Sequence, residues 1–149
     1  MIRRAAVLLL LVAAGCASSS SKHPEPEVAL EQTSAVPEAA RNITGSIPVR
    51  FRVTIHNTTA TALQLHHMDL VTQGEGAYAL QPPISRSFDE SIAVGDTKSY
   101  DVWGSAFIDS PAVEGANGAV TIRLIIQFDS PTGAFQSVSV QRVHWGAVD

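Results

Sequence analysis

The chain has 149 residues, 45% of them hydrophobic and only 16% charged, with a formal net charge of −4 and a single cysteine. One compact domain fits this length with room for a real core. The acidic balance argues against nucleic acid as a partner, and one cysteine excludes an internal disulfide.

The amino-terminal stretch sets the expected address. Arg3 and Arg4 precede an apolar run from Ala5 to Ala14 that ends in Gly15-Cys16. The run is too short to cross a bilayer as a mature helix and has the make-up of an export signal. No second apolar run approaches bilayer length. Removing the signal takes Arg3 and Arg4 with it, which leaves 8 basic against 14 acidic residues, a net −6.

Small residues leading into the lone cysteine resemble the lipobox of bacterial lipoproteins. That family places Leu, Val or Ile three positions before the cysteine, where this chain has Ala13; Gly15 fits the pattern. The resemblance implies a diacylglycerol on the Cys16 thiol, cleavage after Gly15 and acylation of the new amine. A thiolate is the nucleophile such a transfer needs. One acyl chain binds a membrane only reversibly, so several chains would anchor the protein. Cys16 followed by Ala17 and Ser18, with no Asp, implies the outer membrane in a Gram-negative cell. A plain secretory signal with Cys16 as a bystander is the alternative.

Residues 1–15 are thus expected to be signal, 16–27 a lipidated tether, and 28–149 the folded domain. Four serines and two Pro-Glu units keep the tether solvated and extended. Val28–Ser34 suits an edge strand or one or two turns of helix, and the strand is preferred; Pro37 stops either.

From Ile47 the pattern is one of strands. Val49, Phe51, Val53 and Ile55 alternate with Arg50, Arg52, Thr54 and His56, the period of a half-buried strand. Asn57 to Thr61 is a turn. Leu63 and Leu65 share one parity, Met68 and Leu70 the other, which implies a bulge at His66-His67. Gly74-Glu75-Gly76 turns the chain into a short strand at Ala77–Leu80. Pro82-Pro83 excludes a central strand. Strands are expected over Phe88–Val94 and Ser99–Trp103, then a loop over Asp109–Gly118. Val120, Ile122, Leu124, Ile126 and Phe128 form the longest alternation. A hairpin loop at Asp129–Gly133 returns through Phe135–Val143. There Val138 and Val140 oppose Phe135 and Val143, so a twist or bulge is expected.

Seven or eight short antiparallel strands with regular turns predict an all-β, immunoglobulin-like two-sheet sandwich. Val53 to Leu65, with Met68-Asp69-Leu70 and the later Ile92-Ala93-Val94-Gly95-Asp96-Thr97, resembles the water-stress and hypersensitive-response domain of the late-embryogenesis-abundant group 2 type. The likeness covers roughly Glu27 to Val143, and it departs at Thr58, where that family has proline. It implies the same sandwich and, as an alternative role, protection of envelope components under drying or osmotic stress.

No catalytic constellation emerges. There is no Gly-x-Ser-x-Gly elbow, and Asp69, Asp89 and Glu90 read as solvated acids. Gly74-Glu75-Gly76 lacks the length and helix of a phosphate cradle. Asn42 and Asn57 begin glycosylation sequons, discounted beside a bacterial signal. His66, His67 and Met68 suit copper in residue type, but adjacent strand residues point to opposite faces, so metal carriage is a minor alternative and neither metal nor cofactor is expected. Indole burial is the first expectation for Trp103 and Trp145, and ligand anchoring at the sandwich rim is the second. His66, His67, Trp103 and Trp145 are the candidate contact residues. A non-catalytic envelope module, lipid-held and binding an envelope protein or a surface polymer, is the expected function.

Overall fold

The alternation from Val49 to Ile55 becomes one side of a strand packed into a dry core. In the computed structural model, which describes residues 25–34, 45–108 and 119–144, Phe51, Val53 and Ile55 are fully buried while Arg50 and Arg52 are exposed. Each such side chain contributes roughly 1.5–3 kcal/mol by leaving water. The described residues form eight strands: β1 (Glu27–Gln32), β2 (Gly45–His56), β3 (Leu63–Thr72), β4 (Ala79–Leu80), β5 (Ile84–Ile92), β6 (Thr97–Ile108), β7 (Ala119–Ser130) and β8 (Gly133–His144).

They make two four-stranded sheets, β1-β2-β6-β4 and β5-β3-β7-β8, with every pairing antiparallel. The inner faces meet in one cluster that includes Phe51, Ile55, Leu65, Met68, Leu124 and Phe128. Strands β1, β2 and β6 against β3, β7 and β8 reproduce the two halves of an immunoglobulin-like sandwich. Between β3 and β6 the chain crosses sheets three times, through the two-residue β4 and then β5.

The bulge at His66-His67 is present: the register of β3 against both neighbours shifts between Leu65 and His67. It returns Met68 and Leu70 to the core, as the parity change requires. Val28–Ser34 yields the edge strand β1.

Three expectations need correction. The strand expected over Phe88–Val94 runs over Ile84–Ile92, because its inner positions include Arg86 and Glu90 and hide the alternation. The strand expected over Ser99–Trp103 extends to Ile108, since Gly104 and Ala106 are small inward residues that give little hydrophobic signal. Gly104 is required to be small: an added Cβ would stand 2.4 Å from Ile84 Cγ1. Finally, β8 has no bulge. It pairs with β7 in unbroken register from Ala119↔His144 to Ser130↔Gly133. Its inner face carries Ser137, Ser139 and Gln141 between Phe135 and Val143, and Val138 and Val140 face outward.

One end of the sandwich is fastened by Asn57, whose side chain is fully buried. Its Nδ2 lies 2.9, 3.0 and 3.2 Å from the carbonyl oxygens of Thr61, Ile92 and Ala93. Its Oδ1 accepts from the Thr59 N–H at 3.0 Å and the Thr59 hydroxyl at 2.7 Å. The Asn57 N–H donates to the Asp96 carbonyl, and the Gly95 N–H donates to the Asn57 carbonyl. A single amide thus ties the turn after β2 to the turn after β5. No amide hydrogen points outward for modification, so the sequon at Asn57 is a structural element. Asn42 lies outside the described residues.

The two long sides of the sandwich are closed differently. Between β5 and β6, Lys98 Nζ donates to Glu90 Oε2 at 2.9 Å, and Phe88 meets Tyr100 edge-on at 5.1 Å between centroids. Between β1 and β8 the Gln141 amide is the clamp. Its Oε1 accepts from the Leu30 N–H at 2.9 Å, and its Nε2 donates to the Val28 carbonyl at 3.1 Å. A side chain here takes the hydrogen-bonding place that a neighbouring strand would otherwise fill.

Candidate interaction surface

Residues of odd number in β6 and even number in β2 face outward, so their cross-strand pairs form a ladder on one outer face. Four successive pairs are His56–Thr97, Thr54–Ser99, Arg52–Asp101 and Arg50–Trp103. The first three are internally matched. His56 Nδ1 lies 2.9 Å from Thr97 Oγ1, and the Thr54 and Ser99 hydroxyls are 3.0 Å apart. Arg52 Nε donates to Asp101 Oδ1 at 3.0 Å. The hydrogen bond and charge of Asp101 push the Arg52 pKa up.

The last rung has no internal match. Trp103 is 61% exposed, which overturns the expectation that its indole closes the core; its parity with Asp101 forces it outward. Arg86 reaches across from β5 and sits over the indole, 5.5 Å from the ring centroid. Its Nη2 donates to the Trp103 carbonyl at 2.7 Å and its Nη1 to the Ser85 carbonyl at 2.8 Å. A guanidinium over an aromatic face is attractive, by roughly 0.5–1 kcal/mol at an exposed site. The backbone bonds hold it there. Arg50 stands directly opposite Trp103 and is exposed. Among the described residues neither Arg50 nor Arg86 has a carboxylate partner. This rung therefore joins an exposed indole to two uncompensated positive charges on a chain that is negative as a whole. Trp103 was visible in the sequence. Arg50 was visible as an outward strand residue, but its place beside Trp103 depends on the β2–β6 register, and that of Arg86 on the packing of β5 against β6.

The His66-His67-Met68 run does not converge. Met68 is fully buried and packs in the core, on the far side of the sheet from the histidines. The bulge leaves both histidines on the outer face but serves them different partners. His66 Nε2 lies 2.9 Å from Asp129 Oδ2 on β7. His67 Nε2 lies 3.1 Å from Asp69 Oδ1 and 2.9 Å from Ser85 Oγ on β5. Among the described residues no three His, Cys, Asp or Glu side chains are grouped to hold a metal ion. Asp69 is thus engaged with His67, and Glu90 with Lys98. Asp89 accepts a 2.6 Å hydrogen bond from Gln64 Nε2.

Cys16 and Trp145 lie outside the described residues. No helix among the described residues is long and apolar enough to cross a membrane.

No family model matches the chain, and no curated protein matches it. Several solved structures are similar in shape. One is a structural genomics target with 11% identity and a TM-score of 0.49, over 84% of this chain and 88% of that one. The putative ApaA protein from Bordetella pertussis has 14% identity and a TM-score of 0.46, over 80% and 91%. A protein from Archaeoglobus fulgidus has 7% identity and a TM-score of 0.48, over 79% and 94%.

Proposed function

We propose that this chain is a lipid-anchored, non-catalytic module of the cell envelope that binds another envelope component, a protein or a surface polymer, through the outer face around Trp103. The observation that carries the reading is the 61% exposure of Trp103 beside Arg50 and under Arg86. An indole left 61% exposed outside the core is available to a partner, and Trp and Arg are among the residue types that dominate contact energetics. Two guanidinium groups with no carboxylate partner among the described residues favour a partner surface bearing carboxylate or phosphate.

The path of the chain supports the same reading. Glu25 lies at the Asn57 end of the sandwich, where its carbonyl accepts from the Thr58 hydroxyl at 2.9 Å. Glu27, His56 and Thr97 form the rung at that end. From Thr97 to Trp103 the strand advances about 20 Å at ~3.3 Å per residue. An acylated Cys16 would attach the chain to the bilayer from the Asn57 end, about 20 Å along the sheet from Trp103. In a Gram-negative cell the bilayer is the outer membrane on this reading.

The test compares the anchored wild type with Trp103→Ala in pull-downs from envelope preparations, with Cys16→Ser as a second variant. Wild type should retain a specific component that Trp103→Ala loses, and wild type but not Cys16→Ser should incorporate labelled palmitate. Identical recovery by wild type and Trp103→Ala overturns the Trp103 surface. Equal labelling of Cys16→Ser and wild type, or none in either, overturns the anchor.

A further inference from the structure

A sheet edge presents unpaired N–H and C=O groups, and proteins usually guard it with charge, proline, shortness or a covering element. Three of the four edges here are guarded. β4 is two residues long. β5 carries Arg86, Asp89 and Glu90, and it is covered by its contacts with β6. β1 carries Glu27 and Glu31, follows Pro26, and has the Leu30 N–H and Val28 carbonyl occupied by Gln141. Among the described residues β8 is the least guarded: its one formal charge, Arg142, stands near its end, and its contact with β1 is made from its inner face through Gln141. It runs straight for 12 residues, without a bulge or a proline, and without a charge from Gly133 to Gln141.

The same strand bears an apolar patch. Val138 and Val140 are 42% and 57% exposed on the outer face. Ile125 lies beside Val138, and Arg123 beside Val140. Leaving both valines in water on the last strand of a sheet, above an inner face of serines and glutamine, inverts the usual burial of an edge strand.

We infer that β8 is a self-pairing edge: two copies of this chain join antiparallel through β8 about a two-fold axis at Ser139, giving one continuous eight-stranded sheet. The strand is self-complementary, which points to a second copy as its occupant. Antiparallel pairing that keeps outer faces together admits registers centred on Val138, Ser139 or Val140. Centring on Val138 sets Val140 against Gln136. Centring on Val140 sets Arg142 against Val138. Centring on Ser139 sets Val138 of each copy opposite Val140 of the other and Arg142 opposite Gln136, with no like charges facing. The outer-face row then reads Ile125, Val138, and the partner's Val140 and the partner's Arg123, followed by its mirror image. A two-fold contact of this kind closes on itself and stops at the dimer. It covers the open backbone and the valines in one step. The inference is independent of the Trp103 reading, because Trp103 lies on the other sheet's outer face.

The register makes a sharp test. In the full chain carrying Cys16→Ser, Gln136→Cys and Arg142→Cys are prepared separately. Directly opposed outer-face residues have Cβ atoms about 4.5–5.5 Å apart, close to what a disulfide needs. In the Ser139-centred dimer each cysteine is six residues, about 20 Å, from its own copy across the axis. Mild oxidation of the mixture should give a crosslinked dimer, and oxidation of either variant alone should not. In parallel, sedimentation should show Val140→Lys raising the dimer dissociation constant roughly 30-fold or more, with circular dichroism and thermal unfolding unchanged. A chain that sediments as a monomer at all concentrations overturns the proposal. So does equal crosslinking of either variant with itself, or a Val140→Lys chain that is folded and still dimeric with unaltered affinity.

Discussion

Replacing Asn57 by alanine should be among the most damaging single changes in the domain. The amide serves three carbonyls and two donors, and the bonds to the Ile92 carbonyl and to both Thr59 donors are buried. Each buried group left unpaired costs about 1–3 kcal/mol. The Thr61 and Ala93 carbonyls are part-buried and recover some solvation. The Thr59 hydroxyl has the Thr61 carbonyl as another acceptor at 2.9 Å, so two groups, the Ile92 carbonyl and the Thr59 N–H, are left fully dry, a net loss of roughly 2–6 kcal/mol against the ~5–15 kcal/mol typical of a domain. Denaturant unfolding followed by tryptophan fluorescence, with the slope compared between variants to verify two-state behaviour, reads this directly. Asn57→Asp tests the direction of the bonds. It removes the donor and turns a carboxylate towards three carbonyl oxygens, so its folded-state pKa must rise above the ordinary ~3.9. The folded state then holds the proton longer than the unfolded state. Stability of the variant falls as pH rises past about 4, and its deficit is smaller at pH 4 than at pH 7. A loss below about 1.5 kcal/mol for Asn57→Ala, or a deficit in Asn57→Asp that is the same at both pH values, refutes the reasoning.

Three further outcomes follow from packing and burial. Gly104→Ala drives a methyl into Ile84, which is only 2% exposed, so it should cost about 1–3 kcal/mol; the double variant with Ile84→Ala, which removes the clashing Cγ1, should lose less than the sum of the single losses, measured by denaturant unfolding. Tyr100→Phe should be neutral or stabilising by up to about 1 kcal/mol in thermal or denaturant melts, because the Tyr100 hydroxyl is buried without a partner among the described residues and an unpaired buried hydroxyl is a cost. Burial pushes the Tyr78 and Tyr100 phenols up from their ordinary value near 10. The folded state keeps these protons longer than the unfolded chain, so this contribution is intact below about pH 10 and is lost as pH rises above it. Unfolding midpoints at pH 8 and pH 11 should differ more in wild type than in Tyr78→Phe, whose hydroxyl otherwise donates to Gln32 Oε1 at 2.6 Å.

Strands β2 and β7 were legible in the sequence and the edge strands β5 and β8 were less so, for a physical reason. β2 and β7 have a strand on each side and a dry inner face, so every second residue must be apolar, and Phe51, Val53, Ile122 and Leu124 declare it. The bulge at His66-His67 was legible because only an extra residue reconciles Leu65 with Met68 in one core. At an edge, inner-face positions reach the open side of the sandwich and accept polar groups. Arg86 and Glu90 take them in β5, where both engage β6. Ser137, Ser139 and Gln141 take them in β8, where Gln141 clamps β1. The alternation rule then assigns such strands the wrong bounds or an unneeded bulge. The Trp103 rung was half legible for a related reason: strand parity gives the direction of a side chain, but only the sheet register gives its neighbours.

Trp103 and the Val138–Val140 pair lie on opposite outer faces, with the whole core between them. The two surfaces differ in chemistry as well as position. One is an indole among guanidinium groups, suited to a partner that brings negative charge. The other is an uncharged backbone edge with small apolar side chains, suited to another strand. Substitutions with no shared partners at this separation should act additively. Trp103→Ala should therefore leave the self-association of the chain unchanged, and Val140→Lys should leave Trp103-dependent retention unchanged at saturating concentration. A dimer would present two Trp103 rungs related by the two-fold axis. If the partner is a repeating polymer, the loss of Trp103-dependent binding in a monomeric Val140→Lys chain at limiting concentration would measure how much of that binding comes from two-point attachment.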